Sequence, residues 1–316
     1  MEYRFLGKTG LKVSRLCFGT LTIGPLQANL PLAKGVDLLR YAVRQGVNFF
    51  DTAEIYGTYP YLKQLLRLCR DEELIVATKT YSVTAEEMRK SLEKARRDLD
   101  RDWIDIFLLH EQESALTIRG HKGALEFLVE AKQKGLVKAI GISTHRVAGV
   151  QGALEFPEID VIHPLFNVRG LGIFDGAISD MTAALEAAYA RGKGVYLMKP
   201  LGGGHLRNEA EEALRFAFKQ RFAASVAVGM QTLDEVDFNV RIANELSVPE
   251  ALKIKVSREQ RKLHIDEWCE GCGRCVDSCQ QGALFLKDGK ANVDESKCIL
   301  CGYCAAACPF FYIKVY

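Results

Sequence analysis

Eight short apolar runs, rich in β-branched and aromatic residues, recur along the first three quarters of this 316-residue chain. They read LCFGT (16–20), VNFFDTA (47–53), LIVATKT (74–80), IDIFLLH (104–110), VKAIGIS (137–143), IDVIHPLF (159–166), GVYLMKP (194–200) and FAASVAVG (222–229). Each has the length and composition of a buried strand. Between them lie stretches such as 85–99 and 123–134, apolar at helical spacing and charged on the other face. Eight strands separated by helices argue for the α/β class and a closed (β/α)8 TIM barrel. A doubly wound open sheet is the rival, but no GxGxxG follows the first run. Residues 1–13 are expected to form a hairpin turning at Gly7 to Gly10 and closing the barrel floor.

A composition 48% hydrophobic is ample for a large core, and runs such as Ile104 to Leu109 are far too short to cross a bilayer. The opening MEYRFLGKTG carries no apolar signal region, which points to the cytoplasm. With 42 basic and 40 acidic residues and no long run of one sign, the chain has no electrostatic footprint for nucleic acid.

Eight of the ten cysteines fall in the last fifty residues as two copies of one ruler, Cys269, Cys272, Cys275, Cys279 and Cys298, Cys301, Cys304, Cys308, with Pro309 following. CxxCxxCxxxC wraps three thiolates round one iron–sulfur cluster and sends the fourth to its neighbour. The ligand sets are therefore expected to cross. Cluster one takes Cys269, Cys272, Cys275 and Cys308; cluster two takes Cys298, Cys301, Cys304 and Cys279; both are 4Fe-4S centres. Paired four-cysteine zinc sites are the alternative, although a third cysteine at the same spacing has no tetrahedral use. Ile265-Asp266-Glu267 leads into Cys269 much as Val293-Asp294-Glu295 leads into Cys298, the cysteine ruler repeating after 29 residues. The segment resembles a bacterial two-cluster ferredoxin, departing from it at Gln280, where a proline is usual. Cys17 and Cys69 are left as ordinary buried thiols. The pattern divides the chain into a barrel (1–246), a basic linker packed on it (247–262) and a ferredoxin-like domain (263–316).

Barrel enzymes carry their chemistry at the C-terminal ends of the strands. There the sequence places Asp51, Tyr56 in the loop that follows, Lys79 and His110. Singly, each has an ordinary structural reading: a cap, a rim aromatic, a solvated end, a core histidine. Together they matter more, because DTAEIYG (51–57), the lysine of ATKT, the histidine of FLLH, GIST (141–144) and MKPLGGG (198–204) occur in the order of the aldo-keto reductases. The resemblance covers residues 1 to about 246. It implies an oxidoreductase that passes a hydride between a nicotinamide nucleotide and a carbonyl or alcohol. Tyr56 would be the general acid or base, Lys79 and Asp51 a pair that lowers its pKa, and His110 the group that orients the substrate. It also implies nucleotide contacts from Ser143, His163, Asn167, Met198, Gly202, Gly203 and Gly204, with Gly229 and Glu235 where relatives that bind NADP often carry basic residues. Neither is basic here, so the chain leans toward NAD(H) over NADP(H). His121, His145, His205 and His264 are read as surface or capping histidines.

A hydride carrier moves two electrons and a 4Fe-4S cluster one, so traffic between them calls for a flavin, of which the sequence shows no signature. Three readings follow. In the first, clusters that are structural or regulatory accompany an aldo-keto reductase. In the second, the clusters carry electrons to or from the barrel site or a redox partner protein. In the third, the chain is a non-catalytic redox sensor, a reading that the complete set of four residues opposes.

Overall fold

The computed structural model describes residues 1–258, 262–279, 281–298 and 303–315. The chain opens with an antiparallel hairpin of β1 (Tyr3–Phe5) and β2 (Lys12–Ser14), Tyr3 opposite Ser14. The Leu6 amide donates to the Leu11 carbonyl at 2.9 Å across its base. Leu6, Leu11 and Val13 pack on Cys17, Phe49, Ile106, Val161 and Tyr196 inside the barrel, so the hairpin is the floor that the sequence pattern called for.

The eight apolar runs become β3 (Leu16–Gly19), β4 (Phe49–Asp51), β5 (Ile75–Thr80), β6 (Ile104–Leu109), β7 (Val137–Thr144), β8 (Val161–Pro164), β9 (Gly194–Leu197) and β10 (Ser225–Gly229). All pair in parallel, and β10 returns to β3 with Val226 opposite Leu16, which closes the barrel. Every residue of β5 and β6 is buried, as strands covered on both faces require. Outside the barrel Phe18, Phe50, Leu92, Leu128 and Leu185 belong to one core shared with the helices. The helix Ala85–Leu99 begins at a reciprocal cap between Thr84 and Glu87 and stops where Asp100 turns left-handed at φ 59°. Of the two leftover thiols, Cys17 is wholly buried while Cys69 ends a helix half-buried.

The linker is more than a tether. Glu250–Arg258 is a helix started by Pro249, and Leu252 and Val256, one turn apart, pack on the barrel core. Lys253 binds Glu211 at 2.8 Å and Arg207 donates to the Val256 carbonyl at 3.1 Å, fixing the helix along the C-terminal rim.

The last segment folds round its own small core of Cys275, Leu284, Ala291, Cys304, Ala305, Cys308, Ile313 and Val315. β11 (Leu263–Ile265) pairs antiparallel with β14 (Ile313–Val315), and β12 (Leu284–Lys287) with β13 (Lys290–Val293). The repeat is visible in the turns: the Cys269 amide donates to the Asp266 carbonyl and the Cys298 amide to that of Asp294, both at 3.1 Å. Cys301 and Gln280 lie outside the described residues. β14 lies against the Gly202–Gly204 turn, so this module sits on the barrel mouth.

Candidate active site and cluster centre

At the C-terminal ends of β4 and β5, Lys79 donates to both Asp51 oxygens, at 2.9 and 2.7 Å, and to the Thr52 carbonyl at 2.8 Å. Both side chains are buried. Asp51 also accepts from the Tyr196 hydroxyl at 2.9 Å. Tyr196 had no place in the sequence-based site. The signal for it was a tyrosine inside an otherwise apolar strand, whose hydroxyl needs a polar partner once buried.

The Tyr56 ring stands half-buried beside this pair, with the Lys79 ammonium 5.0 Å from its centroid. The expectation that Lys79 would lower the Tyr56 pKa does not hold. Burial and then the Asp51 charge push the phenol well above its ordinary value, because the ammonium is already neutralised by Asp51. His110 lies at 6.1 Å from the Tyr56 ring, nearly edge-on, and stacks on Tyr81 at 4.3 Å. Burial, then Lys79, drives the His110 pKa well below its usual value, so the imidazole is neutral. Its Nδ1 is buried and has no hydrogen-bond partner among the described residues.

A cavity of about 580 Å³ runs from Asp51 and Tyr56, past His163, Met198, Gly203 and Gly204, to Gly229, Glu235 and Asn239. Residues of the Glu250–Arg258 helix cover it. Six of the nine expected nucleotide contacts thus share one trough. The other three lie outside its lining. Ser143 Oγ accepts the Glu111 amide at 2.9 Å, Asn167 is tied to Leu171 through Nδ2 and Oδ1 at 2.8 and 2.9 Å, and Gly202 is buried. His163 stacks on Tyr196 at 3.8 Å, with Nδ1 2.8 Å from the Tyr196 carbonyl and Nε2 3.6 Å from Asp51. The Glu235 carboxylate accepts the Gln231 amide at 2.6 Å. Asn239 was not singled out from sequence. Its buried Oδ1 has no partner among the described residues and it lines the far end of the trough, an acceptor that a ligand amine would satisfy.

Two of the four histidines read as surface or capping groups are elsewhere. His121 does cap, with Nδ1 2.8 Å from the Thr117 carbonyl, and His264 sits 2.9 Å from Asp266. His145 and His205, however, face Phe311 of the C-terminal module at 6.4 and 6.0 Å, which covers both. Glu111, Lys199 and Phe311, at φ 52°, 54° and 57°, are non-glycine residues held left-handed round the mouth, where such strain is characteristically kept for function.

In the module, Cys269, Cys272, Cys275 and Cys308 line one cavity, the set expected to hold cluster one. Ala291 donates to Cys269 Sγ at 3.4 Å and Ala283 to Cys279 Sγ at 3.3 Å, the amide contacts that stabilise cluster thiolates. Burial alone would raise the Cys279 thiol, yet the amides of Ala283, Gln281, Leu284 and Gly282 bring it below its usual value. The donor set, with backbone amides reaching its sulfurs, fits an iron–sulfur cluster.

The family model of the aldo/keto reductases matches residues 15–213, and a 4Fe-4S dicluster domain matches residues 268–311. L-Galactose dehydrogenase of Arabidopsis thaliana is 26% identical over 288 residues, 78% of this chain and 89% of that protein. A crystal structure described as an aldo-keto reductase of Pseudomonas aeruginosa is 28% identical, with a TM-score of 0.66 over 77% of this chain and 94% of its own. The holo form of an aldo-keto reductase from Bacillus halodurans, 20% identical, shares the fold with a TM-score of 0.66 over 82% of this chain and 96% of its own. With its closed eight-strand barrel and the cysteine-rich segment beyond it, the chain is an oxidoreductase of the aldo/keto reductase family that carries a 4Fe-4S domain.

Proposed function

We propose that the barrel catalyses reduction of a carbonyl compound by NAD(P)H, or the reverse oxidation of an alcohol, with Tyr56 as general acid or base. The observation that carries this is the meeting of Tyr56, the Lys79–Asp51 pair and His110, whose Nδ1 has no hydrogen-bond partner among the described residues, at one end of a trough long enough for a nucleotide. The reduced nicotinamide supplies the hydride. Tyr56, held protonated by burial, gives its proton to the carbonyl oxygen, so that one C–H and one O–H bond form as the C=O double bond becomes single. Water then reprotonates the phenol oxygen, and the Lys79 ammonium stands 5.0 Å from the ring centroid, where it holds the Tyr56 ring against the site. Asp51 and Tyr196 keep that ammonium in place. His110, neutral and with its Nδ1 unbonded among the described residues, orients the carbonyl. Ser143, His163, Asn167, Met198, Gly202, Gly203, Gly204, Gly229 and Glu235 form or back the nucleotide site, and Asn239 joins them as an acceptor at its far end.

In this reading the module holds two 4Fe-4S clusters with crossed ligands, and they are structural or regulatory. Metal binding supplies folding energy to so small a core. Replacing Tyr56 by Phe should lower kcat about 10² to 10⁴-fold with unchanged cluster absorbance and circular dichroism; full activity in that variant would sink the proposal.

The electron-transfer reading keeps one observation in its favour. Phe311 and Lys314 of the module line the same cavity as Asp51 and Tyr56, so the module lies over the site and not beside it. Anaerobic addition of NADH or NADPH to the oxidised protein, with dithionite as positive control, separates the two: cluster bleaching by nucleotide at a turnover-like rate requires electron transfer, and bleaching by dithionite alone excludes it.

A further inference from the structure

Residues 308–315 form a thread between two cavities. Cys308, Phe310, Tyr312 and Ile313 face the one ringed by Cys269, Cys272 and Cys275. Phe311, Lys314 and Val315 line the barrel-mouth trough together with Asp51, Tyr56 and Met198. Side chains of adjacent residues that point to opposite sides of one segment put the two cavities a single backbone apart.

Phe311 is the deepest of the mouth-facing residues, 4% exposed. It is absent from the apolar core that the module builds for itself. Its surroundings belong to the barrel: the Lys199 ammonium stands 4.4 Å over its ring, with His145 and His205 at its edges. Two glycines make the space. A Cβ on Gly172 would lie 2.1 Å from Phe311 Cε2, and one on Gly203 2.7 Å from Cδ1. Phe311 is itself held left-handed at φ 57°, and its amide donates to the Cys308 carbonyl at 3.3 Å. A bulky residue in that conformation persists only where its neighbours impose it. One neighbour is the barrel mouth and the other is a cluster ligand.

We propose that Phe311 is a substrate-positioning residue lent to the barrel by the iron–sulfur module: it walls the cavity in which the carbonyl meets Tyr56, and the ligation of Cys308 fixes its place. The proposal rests on the carbonyl-reduction reading of the barrel site. It assigns the substrate a class, carbonyl compounds whose apolar or aromatic substituent packs on the Phe311 ring. It also makes the cavity and cluster one reciprocal: what fills the trough presses on the segment that holds Cys308, and the cluster in turn sets the trough's wall.

The test uses the cluster-loaded protein and two aldehydes, benzaldehyde and acetaldehyde. Replacing Phe311 by Leu should raise KM for benzaldehyde about tenfold while kcat, and both constants for acetaldehyde, change less than about twofold. A second readout needs no turnover. Benzamide, an unreactive carbonyl compound, should shift the paramagnetic resonance signal of a dithionite-reduced cluster in wild type and in Tyr56→Phe, and the shift should vanish in Phe311→Ala. An equal fall in kcat for both aldehydes with unchanged KM would make Phe311 a structural spacer and overturn the proposal, as would a cluster signal indifferent to benzamide. If the wild type reduces no aldehyde at all, the carbonyl reading has failed on its own account, and the benzamide shift still decides whether Phe311 joins the two cavities.

Discussion

Lys79 and Asp51 form a buried ion pair at the end of the trough, two hydrogen bonds at 2.9 and 2.7 Å with Tyr196 and the Thr52 carbonyl completing the shell. A pair so placed is held in register by the barrel itself, since Asp51 and Lys79 end adjacent strands.

Removing one partner strands a buried charge. Lys79→Met and Asp51→Asn should each cost about 3 to 5 kcal/mol of stability, read as a lower urea midpoint. The double change should cost less than the two added together. Additive losses would show that the pair is not coupled.

Acid should unfold the barrel through its histidines. Burial lowers His163 from 6.5 to about 4, and His110 and His145 are pushed well below their usual value by burial and nearby cations. Below pH 6.5 the unfolded chain binds protons that the folded chain refuses, so stability falls steadily as pH drops from there toward 4. The His163 share is on the order of 3 kcal/mol. Urea midpoints at pH 7.5, 6 and 5 should converge for wild type and His163→Gln, and parallel curves would refute the assignment.

Cluster content should respond to cysteines in crossed sets. Cys308→Ser should abolish the same resonance signal as Cys272→Ser, while Cys279→Ser abolishes the other, each taking iron from about eight to about four atoms per chain. Loss of the Cys272→Ser signal in Cys279→Ser, with the other signal lost in Cys308→Ser, would mean uncrossed ligation.

NADH should bind more tightly than NADPH, because the Glu235 carboxylate lines the trough and repels a phosphate. Fluorescence titration of both nucleotides checks this, and Glu235→Gln should narrow the gap. Tighter NADPH binding would instead implicate Lys253 and Arg207, which reach the trough from the covering helix and from the turn after β9.

The barrel was legible because its signal is local: eight apolar runs at the right spacing became eight strands. Asp51, Tyr56, Lys79 and His110 could be read for the same reason, since strand ends in a closed barrel must converge. What escaped depends on contacts between distant segments. Tyr196 reaches Asp51 across 145 positions, and the covering helix looked like a polar linker because only Leu252 and Val256 mark its buried face. The lowering of the Tyr56 pKa failed because sequence shows that a lysine is near but not that a carboxylate has already spent its charge. Nothing local distinguishes Phe311 from any other aromatic after a cysteine motif.

The pairing of β14 with β11, with Val315 pressed on Gly204, has a consequence for biosynthesis. Every barrel strand has left the ribosome while the stretch that roofs the mouth is still being made, so a nascent barrel is complete in topology and open on top.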